Sequence, residues 1–119
     1  MNVQNPGNYS YKAVNHFLEK ISEYKTEKNI NIDKNLEKKL LRMFEQTRVS
    51  FHLTMCQRGM GATNFFSYSY VLYNFFQLLD LDDLAKCVPL LKSKLKIIHM
   101  DEMWKYVCQD LRWNFISTI

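Results

Sequence analysis

Three kinds of side chain in this 119-residue chain could do chemistry: histidines, cysteines, and clustered lysines and arginines. His16, His52 and His99 are the obvious imidazole ligands or bases. Each stands alone in sequence, without the neighbouring partner that acid–base catalysis or metal binding requires. His16, beside Phe17, reads instead as a hydrogen-bonded structural histidine. Cys56, Cys87 and Cys108 are widely separated, with no Cys-x-x-Cys pair and no histidine at zinc-finger spacing. They read as free, mostly buried thiols in a reducing compartment, and Cys108, four residues past Trp104, is expected to pack. No glycine-rich phosphate loop, His-Glu-x-x-His pair, Gly-x-Ser-x-Gly elbow or paired-carboxylate pattern occurs. With only three glycines, close backbone approach to a cofactor phosphate is hard to arrange. An enzyme is the least favoured class, and neither a metal nor a cofactor is expected.

The basic residues are more informative. The net charge of +4 favours negatively charged partners mildly, and the excess lies in the first half: ten Lys or Arg against six acids up to Arg58, then six against six. Lys34, Lys38, Lys39, Arg42, Arg48 and Arg58 could form one basic surface, diluted by Glu37 and Glu45. Lys86, Lys92, Lys94 and Lys96 form a second cluster, with no acid between Asp83 and Asp101. It adjoins an expected helix start whose amides also suit a phosphate. The aromatic run Phe65, Phe66, Tyr68, Tyr70, Tyr73, Phe75 and Phe76 could be a stacking platform for bases. On a helix, however, such rings more commonly fill a core. Tyr70 and Tyr73, near a polar seam, are the candidates for exposure.

These side chains must be positioned by helices. Residues 1–9, with Pro6 and Gly7, read as a loose arm, and residues 10–119 as one helical domain. From a possible cap at Ser10, Val14, Phe17, Leu18, Ile21 and Tyr24 follow helical spacing. Thr26 to Ile32 has no period and reads as a connector. Asp33 can cap a long helix reaching about Gln57, with the stripe Leu36, Leu40, Phe44, Thr47, Phe51 and Met55, widened by Leu41, Met43 and Val49. Gly59 and Gly61 force a loop. Phe65 to Leu79 predicts a helix apolar on most of its circumference, with Ser67, Asn74 and Gln77 as its polar seam. Asp82 and Asp83 suit the start of a short helix near Leu84 to Val88, which Pro89 ends. Ser93 then caps a final helix carrying Ile97, Met100, Trp104, Val107, Cys108 and Leu111, and Asn114 to Ile119 forms a packed tail. The fold class is all-α: a single compact bundle of about five helices around a central aromatic helix. The longest apolar stretch, Phe65 to Leu79, is too short and too interrupted to span a bilayer.

The run Asn64-Phe65-Phe66-Ser67-Tyr68-Ser69-Tyr70-Val71-Leu72-Tyr73 is followed by Leu78-Leu79, Val88-Pro89-Leu90-Leu91-Lys92-Ser93, Met103-Trp104-Lys105, Val107-Cys108, Leu111 and Trp113-Asn114-Phe115. In order and spacing this series resembles the C-terminal part of the viral late transcription factor 3 family of poxviruses and related large DNA viruses. Upstream, Asn15-His16-Phe17 and the segment Leu40 to Gln46, with Met43-Phe44, are similar to further family segments. The resemblance singles out Phe65, Phe66, Tyr68, Leu72, Trp104, Cys108 and Trp113 as the family-motif core. Family members carry cysteines ahead of the Asn-His-Phe segment and a long helical stretch after it. Neither is present in this sequence, which points to a shortened or divergent copy, and no metal site is carried over.

The resemblance implies a role in late gene transcription, with the viral RNA polymerase or other transcription factors as partners and DNA as a further one. It also implies a location in the host cytoplasm, at the viral factory, or in the virion. Lys34, Lys38, Arg42, Arg48, Arg58, Lys92, Lys94 and Lys96, with Tyr70 and Tyr73, are the expected nucleic-acid contacts. The alternative is a helical adaptor or virion protein that keeps the fold without binding nucleic acid.

Overall fold

The computed structural model describes residues 6–59, 64–90 and 92–118, with side chains from residue 12 onward. Among these described residues five helices follow one another: α1 (Pro6–Glu27), α2 (Lys34–Gln57), α3 (Tyr68–Leu78), α4 (Asp82–Lys86) and α5 (Lys94–Leu111). No strand occurs among the described residues. α2, the longest, lies against α1, α3 and α5, while α3 packs on α1, α2 and α4.

α1 begins four residues before the expected cap at Ser10, so residues 6–9 of the supposed arm belong to its first turn. Proline is well suited to that place: its missing N–H would be unsatisfied there anyway, and its φ is already helical. Residues 1–5 lie outside the described residues.

The expected caps at Asp33 and Ser93 are present. Their side chains accept hydrogen bonds from the amides of Leu36 (2.8 Å) and Lys96 (3.3 Å). Ser67 is a third cap, accepting from the Tyr70 amide at 3.3 Å. It belongs to the start of α3, not to a polar seam, and the helix expected from Phe65 therefore begins at Tyr68. Phe65 and Phe66 lie in the extended approach, each with its ring centroid 5.1 Å from that of Phe51.

Two helices end in the same way. Asp80 (φ 59°) and Arg112 (φ 61°) adopt the left-handed conformation. This lets the amides of Leu81 and Trp113 reach back to the carbonyls of Phe76 (2.8 Å) and Cys108 (2.9 Å).

The core is aromatic. Phe17 of α1 stacks on Phe44 of α2 with centroids 4.2 Å apart, and meets Phe75 of α3 edge-on at 6.2 Å. Phe75 in turn lies 6.2 Å from Trp104 of α5 and 6.0 Å from Trp113 of the tail. The connector between α1 and α2 also contributes: Ile30 and Ile32 are buried although their segment has no helical period. Tyr24 and Ser69 share a hydrogen bond of 2.6 Å that ties the end of α1 to the start of α3. Val49, expected to widen the buried stripe of α2, is instead 61% exposed.

Candidate functional site

The basic residues of α2 separate into two groups. Lys34, Lys38 and Arg42, each one turn beyond the last, form an exposed stripe away from the core. Glu45, Val49 and Leu53 continue the same stripe, so this outer face is basic at its start and apolar further on. Arg48 is half-buried, and its charge counters the upward push that burial gives the Tyr68 phenol. Arg58 lies at the C-terminal end of α2 with its guanidinium carbon 3.5 Å from the centroid of the Tyr106 ring. It already serves a cation–π contact between α2 and α5.

Lys92, Lys94 and Lys96 are exposed at the start of α5. No acidic residue occupies that first turn, so cations stand where the helix dipole already presents positive charge. Beside them, between α5 and the extended segment leading to α3, runs a groove of about 450 Å³. Phe65, Met100 and Met103 give it an apolar lining, Leu95 stands at it 80% exposed, and Lys96 and His99 supply polar groups.

The two tyrosines proposed as base platforms are differently placed. Tyr70 is buried, 1% exposed, and cannot stack on a base. Its hydroxyl donates to Asp101 at 2.5 Å. Burial first, then this hydrogen bond and the neighbouring carboxylate charge, raise its pKa well above the ordinary tyrosine value. Tyr73 is half-buried, and its hydroxyl accepts from the Gln77 amide at 3.0 Å.

Asp101, on the buried side of α5, also accepts from the amide and hydroxyl of Thr118, at 2.9 and 2.8 Å, and from the Ser117 hydroxyl at 3.4 Å. The carboxylate thus fastens the expected packed tail to α3 and α5. Sequence reasoning passed over Asp101. The available signal was an acid four residues after Ile97 and three before Trp104, on the apolar stripe.

The family-motif residues largely come together. Leu72, Phe66, Trp104 and Cys108 are buried, while Phe65, Tyr68 and Trp113 line the same cluster half-buried. Burial pushes the Cys108 thiol up to about 12. Cys56 and Cys87 are free but exposed, contrary to the expectation of mostly buried thiols: Cys56 lies near the end of α2 and Cys87 caps the end of α4. His16 is exposed too, on the solvent side of α1 beside the buried Phe17, so it is not a core histidine. His52 Nε2 and Cys56 Sγ are 4.0 Å apart, one turn from each other on α2. The described residues contain no group of three or more His, Cys, Asp or Glu that could hold a metal ion, and no helix long and apolar enough to cross a membrane.

Residues 5–115 match the family model described as Poxvirus Late Transcription Factor VLTF3 like. The chain belongs to this family. A candidate transcription factor of Paramecium bursaria Chlorella virus 1 is 39% identical over 90 residues, covering 76% of this chain and 24% of that protein. Another, from Acanthamoeba polyphaga mimivirus, is 31% identical over 109 residues, covering 92% of this chain and 24% of its own length. The chain therefore spans about a quarter of the length of these relatives. No solved structure matches.

Proposed function

We propose that this chain is a late-gene transcription factor module of a large DNA virus, without catalytic chemistry of its own, that contacts promoter DNA and the transcription machinery. It would act at the viral factory in the host cytoplasm or be carried in the virion. The observation that carries the reading is the exposed Lys34, Lys38 and Arg42 stripe on α2, in a chain whose family and relatives bear transcription-factor names. Cations one turn apart suit successive phosphates, a contact that positions a protein on nucleic acid without reading bases. The Lys92, Lys94 and Lys96 cluster is a second anion-binding surface at the start of α5. The test is a comparison of the protein with its Lys34→Ala, Lys38→Ala, Arg42→Ala variant for binding to duplex DNA at low salt. The reading requires a weaker complex for the variant, and equal affinity would remove DNA from it.

A second reading, a helical adaptor without nucleic-acid contact, is favoured by the apolar half of the same face. Val49 and Leu53 are 61% and 50% exposed. Under it, binding to a protein partner would be insensitive to salt, and DNA would not bind at all.

A further inference from the structure

We infer that the groove at the start of α5 is the docking site for an acidic peptide segment with apolar anchors, presented by a protein partner. The inference rests on the reading that the chain contacts the transcription machinery, and it names the kind of contact.

Three observations converge on this occupant. The groove lining is mainly apolar and adaptable: Met100 and Met103 form its wall on α5 and Phe65 its opposite side, while Leu95 projects at its edge. Unbranched thioether side chains repack around different apolar groups, which suits a surface that receives a peptide side chain. Lys96 lines the groove itself, and the exposed Lys92 and Lys94 just before it add positive charge to this end of α5. The acids on α5 near this end are Asp101, already engaged by Tyr70 and Thr118, and the exposed Glu102, one turn beyond His99 and outside the groove lining. Finally, the lysines occupy a place that folding alone disfavours. Lys94 and Lys96 lie in the first turn of an 18-residue helix that has no acid there, so each opposes the dipole. An anionic partner relieves that repulsion.

Duplex DNA would satisfy the lysines but leave Leu95 and the half-buried Phe65 uncovered, whereas an acidic peptide with leucine or phenylalanine anchors satisfies both. In the helix-in-groove mode the anchors enter at one-turn spacing while the carboxylates face the rim.

The experiment uses the whole chain with labelled methionine methyl groups, and three short peptides. One alternates Asp and Glu with Leu and Phe anchors, one replaces its acids with Lys, and one replaces its anchors with Ser. The acidic, anchored peptide should bind and move the methyl signals of Met100 and Met103 while those of Met43 and Met55 stay in place. The Lys94→Glu, Lys96→Glu variant should bind it about tenfold more weakly or worse, because the charge at the groove and at this end of α5 is reversed. The same variant should melt at a higher temperature than the parent, because acids now face the positive end of α5. A higher melting point excludes misfolding as the cause of lost binding. Absence of binding, equal binding of the acidic and basic peptides, or movement of Met43 and Met55 instead would overturn the inference. So would a duplex DNA that moves the Met100 and Met103 signals and displaces the peptide. The Lys34→Ala, Lys38→Ala, Arg42→Ala variant should lose DNA and keep the peptide, so failure of the peptide site and failure of the DNA reading give different results.

Discussion

Removing the Tyr70 hydroxyl isolates the buried link between α3, α5 and the C-terminal tail. In Tyr70→Phe the ring keeps its place, stacked on Phe66 with centroids 5.5 Å apart and edge-on to Trp104 at 6.2 Å. The 2.5 Å hydrogen bond to Asp101 is lost, together with the hydroxyl's weaker hydrogen-bond contacts to Thr118 and Asn74. A hydrogen bond to a charged group contributes about 1.5–3 kcal/mol. Asp101 keeps Thr118 as a donor through both its amide and its hydroxyl, so the lower part of that range applies. Asp101→Ala goes further: it leaves the Tyr70 hydroxyl, in a residue only 1% exposed, without its acceptor, and frees the tail. The cost of the stranded hydroxyl adds about 1–3 kcal/mol, partly offset because no carboxylate has to be desolvated. About 2–4 kcal/mol is therefore expected for Asp101→Ala, a large part of the 5–15 kcal/mol typical of a whole domain. Urea unfolding measures it. With a slope of about 2 kcal/mol per molar, the middle of the range for a small protein, the midpoint should fall by about 1–2 M for Asp101→Ala and by less for Tyr70→Phe. Combined in one chain, the two changes should cost less than their sum, because they break the same bond. Additive costs, or a Tyr70→Phe variant as stable as the parent, would refute the reasoning.

Alkaline pH should act through the same core. The folded-state pKa of Cys108 is raised to about 12 from 9.0, chiefly by burial, and that of Tyr70 is raised further. For groups raised on folding, the unfolded chain loses its protons first, so their contribution is complete below the unfolded pKa and falls as pH rises. Stability followed by denaturant titration should hold to about pH 9 and then decline by up to roughly 1.4 kcal/mol per pH unit for each group. Cys108→Ala should make the onset less steep near pH 9. Arg112→Gly should raise stability by up to about 1 kcal/mol in thermal unfolding, because glycine adopts φ 61° without the clash that a side chain meets there. Ser67→Ala should lower it by about 1 kcal/mol through loss of the α3 cap.

Much of the fold was legible because helical periodicity and end signals agree along most of the chain. Asp33 and Ser93 announced the starts of α2 and α5, and the stripes Leu40, Phe44, Phe51, Met55 and Ile97, Met100, Trp104 proved buried. The start of α3 was misplaced because Phe65 and Phe66 continue the apolar pattern, and a pattern does not tell a helix from an extended segment whose rings also face the core. Ile30 and Ile32 were missed as core residues because a two-residue alternation in a short connector leaves no helical period.

The surface was harder to read. The Lys34, Lys38, Arg42 stripe follows from spacing alone, and its exposure matches it. Tyr70 looked available beside polar neighbours, but its polar neighbour in space is Asp101, thirty-one residues away in sequence. The groove of Phe65, Leu95, Met100 and Met103 also joins distant segments, which no local pattern announces.

The central claim is phosphate contact through the outer face of α2, and the most direct measurement is fluorescence anisotropy of labelled duplex DNA with the protein across a salt series. Engagement of three phosphates by Lys34, Lys38 and Arg42 predicts a log–log slope of about −2.7, each phosphate contributing roughly −0.9. The slope should become markedly shallower in the Lys34→Ala, Lys38→Ala, Arg42→Ala variant. Absence of binding at low salt, or a slope unchanged in that variant, would contradict the account.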